Sequence, residues 1–152
     1  MGIALLIHIL AAVVWIGGMF FAYFALRPAA GQVLEPPQRL RLWTATFERF
    51  FAWVWVTVAA LLVSGFYMLS LVAQQKTAVP GYIFVMAYIA IAMMLIFAYA
   101  VIAPYGRLKR AVAAQDWKAG ATALNRIRML VAINLALGII VIADAVVGPT
   151  IS

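Results

Sequence analysis

Four long apolar runs constrain the fold of this chain more than any other feature of its sequence. They cover approximately residues 3–26, 47–73, 82–103 and 129–147, and each approaches or exceeds the roughly 20 residues that a helix needs to cross the hydrocarbon core. Only 10% of the 152 residues are charged, against about 25% in soluble domains. Backbone polar groups must be satisfied internally in lipid. We therefore predict an all-α integral membrane four-helix bundle, with residues 1–152 forming a single transmembrane domain.

The basic residues indicate how this bundle is oriented. Ten of the eleven Lys and Arg side chains lie in the first and third connections, and the second connection carries only Lys76. Because Lys and Arg accumulate on the cytoplasmic side, we predict cytoplasmic first and third connections and both termini outside. Residues 104–128 are predicted to form a cytoplasmic helical hairpin, with Asp116 as a helix N-cap. The net charge of +7 thus reflects topology and contact with lipid, and we expect no nucleic-acid partner.

His8 is the only histidine and lies inside the first apolar run. Helical spacing places it on one face with Ala12, Trp15 and Met19, and small residues occupy the neighbouring positions, which favours packing against other helices. An ionisable side chain at membrane depth is by default a candidate functional residue. Imidazole can bind a metal or haem iron, or move a proton near neutral pH.

Antiparallel helices are expected to bring several further side chains to the depth of His8, among them Ser64 near the outer end of the second span. Imidazole with thioethers is a soft ligand set that suits Cu(I), and a carboxylate is a natural partner for a ligating histidine. The alternative is that the methionines fill gaps in packing, with His8 hydrogen-bonded to a carboxylate or tyrosine and no ligand bound. The predicted metal ligands are His8, Met68 and Met86, with Asp144, Trp15 and Tyr82 in supporting positions.

A second polar layer is predicted at the cytoplasmic ends of the helices. Its arginines Arg27, Arg49 and Arg128 lie near Glu48 in the expected bundle, and an ion pair of Glu48 with an arginine across helices is the simpler interpretation. The alternative is an anion pocket for a haem propionate or a lipid headgroup, since the guanidinium fork matches carboxylate and phosphate. Cysteine is absent, and no HExxH motif, phosphate-binding glycine loop or serine triad is present, which disfavours hydrolysis and phosphoryl transfer.

The motif H-x6-W-x-G-G-M-F-F, which starts at His8 and is followed by Arg27–Pro28, resembles the copper resistance D (CopD) family of bacterial inner-membrane proteins. The resemblance continues in LEPPQRLRLW, FFAWVW, APYGRLKRAVAAQDW and IRMLVAINLALGIIV. It implies a four-helix protein of the bacterial inner membrane that handles copper. It leaves open a homodimer and a periplasmic copper carrier or redox partner.

The same first-span arrangement is similar to that of HemJ-type protoporphyrinogen oxidases, in which His8 would correspond to a haem b ligand. The members of these families carry a further histidine at the start of the third span, and HemJ-type proteins add a lysine there. This chain has YIFVMAY at that place, with neither residue. Haem ligation would then require His8 from two subunits, a His/Met pair or an open coordination position. Three functions remain open on sequence alone: copper handling, a haem b redox protein, and a non-catalytic accessory subunit.

Overall fold

The computed structural model describes residues 1–75 and 78–151, and the side chains of all of these except Ile151. Lys76, which enters the charge count for topology, lies outside the described residues. The described part is helical apart from short connections and contains no strand. Its helices are α1 (Gly2–Phe21), α2 (Arg27–Val33), α3 (Pro36–Gln74), α4 (Gly81–Ile102), α5 (Pro104–Ala113) and α6 (Trp117–Ile151).

Four helical stretches are long and apolar enough to cross a membrane, as the sequence predicted. They are Gly2–Val33, Pro36–Gln74, Gly81–Ala113 and Trp117–Thr150. Within the bundle, α1 packs along α3 and α4 packs along α6, while α6 also contacts both α1 and α3. The all-α membrane four-helix fold is therefore confirmed. The placement of both termini outside stays a prediction.

A π-helical turn, Ala22–Leu26, joins α1 to α2 without interrupting the helix. The Arg27 N–H donates to the carbonyl of Ala22, one residue further back than in an α-helix. Pro28 follows directly, and a proline ring inside a helix crowds the carbonyl of the preceding turn. Such a turn accommodates the proline and resets the helix face on which Arg27 lies.

The helix starts near the basic connections are capped as their sequences suggest. Glu35 and Gln38 form a capping box at the start of α3, and the N–H of Ala119 donates to Asp116 Oδ1 at 3.1 Å. The prediction of Asp116 as an N-cap is confirmed. Pro104 separates α4 from α5, and α5 folds along the first part of α6.

We call the end of the bundle that carries His8 the outer end, and the end that carries Arg27 and Arg128 the inner end, following the predicted topology. The buried apolar side chains are concentrated toward the inner end. The most outward of them are Ala11 in α1, Val58 in α3, Met93 in α4 and Leu135 in α6. The outer end therefore has no large buried side chain among the described residues.

Candidate functional site

His8 contacts α3 directly at the outer end. Its Nδ1 lies 2.9 Å from Ser64 Oγ, and the ring is half-buried while Ser64 is fully buried. Besides His8, α1 contains only apolar and small residues and no other ionisable side chain. The histidine thus faces the α1/α3 contact, on the same helix face as the buried Ala11 and Trp15.

The hydrogen bonds of Ser64 assign the tautomer of His8. Ser64 Oγ lies 2.6 Å from the carbonyl oxygen of Ala60 and 3.3 Å from that of Leu61. A hydroxyl has one proton to donate, and both carbonyls can only accept it. Ser64 therefore accepts from the Nδ1–H of His8, so that the neutral imidazole carries its free lone pair on Nε2.

Gly65 leaves room for the imidazole ring. A Cβ at this position would lie 3.4 Å from His8 Cε1, which is ordinary van der Waals contact. The ring is therefore held by Ser64 on one edge and backed by the glycine surface of α3. This fixes both its orientation and its tautomer, as supporting hydrogen bonds do for ligating histidines.

Met86 and Asp144 lie at about the depth of His8. Ile16, Met93 and Gly138 meet at one level, since a Cβ on Gly138 would lie 3.0 Å from Ile16 Cγ1 and 3.3 Å from Met93 Cε. Counting 1.5 Å per helical residue outward from this level gives about 12 Å for His8, about 10 Å for Met86 and about 9 Å for Asp144.

In the plane of the membrane, these residues belong to two different helix pairs, α1/α3 and α4/α6. Met68 is half-buried on α3, four residues beyond Ser64, whereas Met86 and Asp144 are half-buried on the α4/α6 pair. Asp144 Oδ2 is buried and has no hydrogen-bond partner among the described residues. Among the described residues, His8 interacts with the Ser64 hydroxyl and with the backbone of Leu61, and no hydrogen bond joins it to Asp144 or to a tyrosine hydroxyl.

Tyr82 and Trp15 act mainly in packing. Tyr82 lies against Gly148 of α6 so closely that a Cβ there would be 2.5 Å from Tyr82 Cβ. Trp15 is buried, with its ring 6.0 Å from that of Phe97 in an edge-to-face contact. Trp15 lies seven residues, or about 10 Å along the helix, inward of His8.

In the part of the chain that the structure describes, no three His, Asp or Glu side chains gather into a possible metal site. A metal site containing His8 would therefore need thioether ligands, a second subunit or an open coordination position.

The structure brings together two of the three predicted arginines at the inner end. Arg27 and Arg128 line one small cavity, whereas Arg49 is exposed and donates to the carbonyl of Ala45 at 3.3 Å. Arg39, which the sequence analysis missed, also acts electrostatically on Arg128. Its place in the basic first connection was the only signal for it.

The expected ion pair of Glu48 with an arginine is wrong. Within the described residues Glu48 is exposed, and no arginine or lysine lies within ion-pair distance of it. Its charge acts instead on Tyr105 of α5, whose hydroxyl donates to the Thr44 carbonyl of α3 at 3.3 Å.

Comparison with known families identifies the chain. The family model for copper resistance protein D (CopD) matches residues 44–148, which is more than half of the sequence. The chain belongs to the CopD family. No curated protein and no solved structure gives a significant match.

Some of the sequence motifs that suggested the family lie inside the matched region, and others lie outside it. FFAWVW, APYGRLKRAVAAQDW and IRMLVAINLALGIIV lie inside 44–148, whereas the first-span motif with His8 lies outside it. Membership thus relates this membrane protein to copper resistance. It assigns no role to His8.

Proposed function

We propose that this CopD-family protein binds Cu(I) as cargo at the outer end of the bundle, with His8 Nε2 as the nitrogen ligand. The observation that carries the proposal is the chain of hydrogen bonds from His8 Nδ1–H to Ser64 and from Ser64 to Ala60. It leaves the Nε2 lone pair available and holds the imidazole in one orientation, which is the arrangement typical of metal-ligating histidines.

The neighbouring side chains favour a soft monovalent cation. Met68 follows Ser64 by one helical turn on the same face of α3, and Met86 lies at the depth of His8 on α4. Thioethers with a single imidazole select Cu(I) over harder divalent metals. In this proposal His8 and Met68 are the primary ligands, and Met86 is a further thioether.

The unpartnered oxygen of Asp144 supports cation binding at this level. A buried carboxylate oxygen without a donor is unfavourable in a low-dielectric environment, and a cation at the same depth lowers that free energy. Tyr82 positions the outer end of α4 against α6 near Asp144. We infer a supporting role for both residues.

Copper would enter from the outer side, which we propose is the periplasm of a bacterial cell with the protein in its inner membrane. The sequence contains no nucleotide-hydrolysing motif, so movement of copper is proposed to be uniport-like or driven by a periplasmic carrier or redox partner. A homodimer, which would supply a second His8, is compatible with the single histidine per chain.

Haem b fits this arrangement less well. His8 and Arg27 lie on one continuous helical stretch, 19 residues or about 28 Å apart, so one porphyrin cannot use His8 and the inner arginines together. Two cavities toward the inner end have volumes of about 10 and 20 Å³, each enough for about one water molecule.

Competition of the purified protein with a chromophoric Cu(I) chelator tests the proposal. We expect His8→Ala to weaken Cu(I) binding more than any other single change, and Ser64→Ala to weaken it about tenfold because the ring loses its orienting partner. Met68→Leu is expected to weaken binding, whereas Met129→Leu, a matched change at an exposed methionine away from His8, leaves it unchanged.

Wild-type Cu(I) affinity in His8→Ala would contradict the proposal. Equal losses in Met68→Leu and Met129→Leu would reject the thioether assignment. A visible spectrum on the same samples separates the haem alternative, because a Soret band that disappears in His8→Ala would favour it.

A further inference from the structure

Two of the side chains that line a small cavity at the inner end carry buried hydrogen-bond donors without acceptors. Its volume is about 10 Å³, and no acidic residue lines it. Two of its lining residues, Trp43 and Arg128, have a buried nitrogen, Nε1 and Nε respectively, with no hydrogen-bond partner among the described residues. The lining residues are Ala22, Tyr23, Arg27, Trp43, Phe47, Arg128 and Val131.

Two guanidinium groups, those of Arg27 and Arg128, belong to side chains that line this cavity. The positive charges of Arg27 and Arg39 both act on Arg128, and the Nε of Arg39 is also buried without a partner. Like charges in a partly buried environment repel one another, and this repulsion raises the free energy of the folded state.

The contacts of these arginines are with neutral groups. Arg27 lies over the ring of Tyr23, 4.9 Å from its centroid, and Arg128 donates to the amide oxygen of Asn125 at 3.2 Å. Arg39 donates to the carbonyls of Leu34 and Gly31 at 3.0 and 3.3 Å. Within the described residues, no carboxylate lies within ion-pair distance of any of the three.

We propose that this site binds the phosphate of an anionic phospholipid from the membrane leaflet at the inner end. One phosphate oxygen fits the volume of the cavity and would accept from Arg128 and Trp43, while Arg27 and Arg39 neutralise the remaining charge. Charge-assisted hydrogen bonds of arginine to phosphate are among the stronger ones in proteins.

The surroundings of the cavity favour a lipid as the source of this phosphate. Arg128 stands directly before the apolar run of α6, and the cavity wall includes the half-exposed Ala22 and Val131. The site thus combines a cationic end with an apolar wall, as do the basic pockets between transmembrane helices that bind anionic headgroups. This site lies at the opposite end from His8 and does not depend on the copper proposal.

Native mass spectrometry of the detergent-purified full chain tests this inference. We expect phosphatidylglycerol to bind about tenfold more tightly than phosphatidylcholine, and Arg27→Gln/Arg128→Gln to lose that preference. Arg107→Gln/Arg110→Gln removes the same charge from exposed positions on α5 and should retain it. Inorganic phosphate alone, at matched concentration, should not raise the melting temperature as phosphatidylglycerol does.

Several results would overturn the inference. They are an unchanged phosphatidylglycerol preference in Arg27→Gln/Arg128→Gln, an equal loss in the α5 control, or equal stabilisation by inorganic phosphate, which would indicate a free-anion site. If the double variant does not fold, the single variant Arg128→Lys tests the proposed contact. It keeps the charge and loses the guanidinium fork, so unchanged affinity for phosphatidylglycerol would reject the proposed contact.

Discussion

The two ends of this bundle are built in different ways. At the inner end, aromatic side chains from three helices pack in one cluster, in which Phe51 contacts Phe47, Phe97 and Tyr105 with ring centroids 5.0–5.5 Å apart. At the outer end, the described buried residues are small, namely Ser64 and Gly148. His8, Met68 and Asp144 are half-buried there.

This difference indicates a division of roles along the membrane normal. Lipid tails are as apolar as leucine, so helices in a membrane associate through van der Waals packing and hydrogen bonds. The inner aromatic cluster contributes to that packing. The outer end has half-buried polar and sulfur-bearing side chains, as the proposed cation site would require.

The largest expected effect comes from truncating the inner cluster. Phe51→Ala should lower the free energy of unfolding by about 2 kcal/mol or more, because it leaves a cavity among packed rings. Phe66→Ala, at a side chain that is 66% exposed near the outer end, should change it little. Unfolding in mixed micelles measures the free energy of unfolding of both variants. Equal losses of stability would contradict the proposed difference in packing between the two ends.

Two glycines at the outer end, Gly148 and Gly65, differ in how closely a neighbouring side chain packs against them. Gly148→Ala should destabilise the α4/α6 contact by about 1–3 kcal/mol through overpacking, because the new Cβ would overlap Tyr82 Cβ rather than a mobile side-chain tip. Gly65→Ala adds a methyl group at ordinary contact distance from His8 and should be nearly neutral. Melting temperatures of the two variants test this, and a neutral Gly148→Ala would show that α4 and α6 separate readily there.

Interhelical hydrogen bonds are expected to give the smallest effects on stability at either end. Asn134 donates to the Met93 carbonyl at 3.1 Å, and Ser64 accepts from His8 at 2.9 Å. Asn134→Leu and Ser64→Ala should each lower the free energy of unfolding by about 0.6 kcal/mol, the average for such bonds in membrane proteins. Of the two variants, only Ser64→Ala should also weaken Cu(I) binding. If both variants changed the Cu(I) affinity equally, the hydrogen bond between His8 and Ser64 would have no specific role in the proposed site.

Local sequence patterns predicted the helices and the orientation of α1 because both depend on nearest neighbours along the chain. Apolar length defined the spans, spacing of three and four placed His8 with Trp15 and Met19, and Asp116 marked the start of α6. The pairing of side chains between helices was predicted less well. Ser64 was identified only as a residue at the depth of His8, and the Glu48 ion pair was wrong.

The apolar spans are enough to establish a four-helix membrane protein, and the residue count limits a metal site within one chain to a single histidine. The packing of the helices places His8 against Ser64, which leaves Nε2 as the acceptor, and brings Arg27 and Arg128 to one cavity that no carboxylate lines. The physical reason is that depth follows from position along a helix at a fixed rise per residue. Lateral contacts depend on how helix faces rotate and pack against one another, which no single segment specifies.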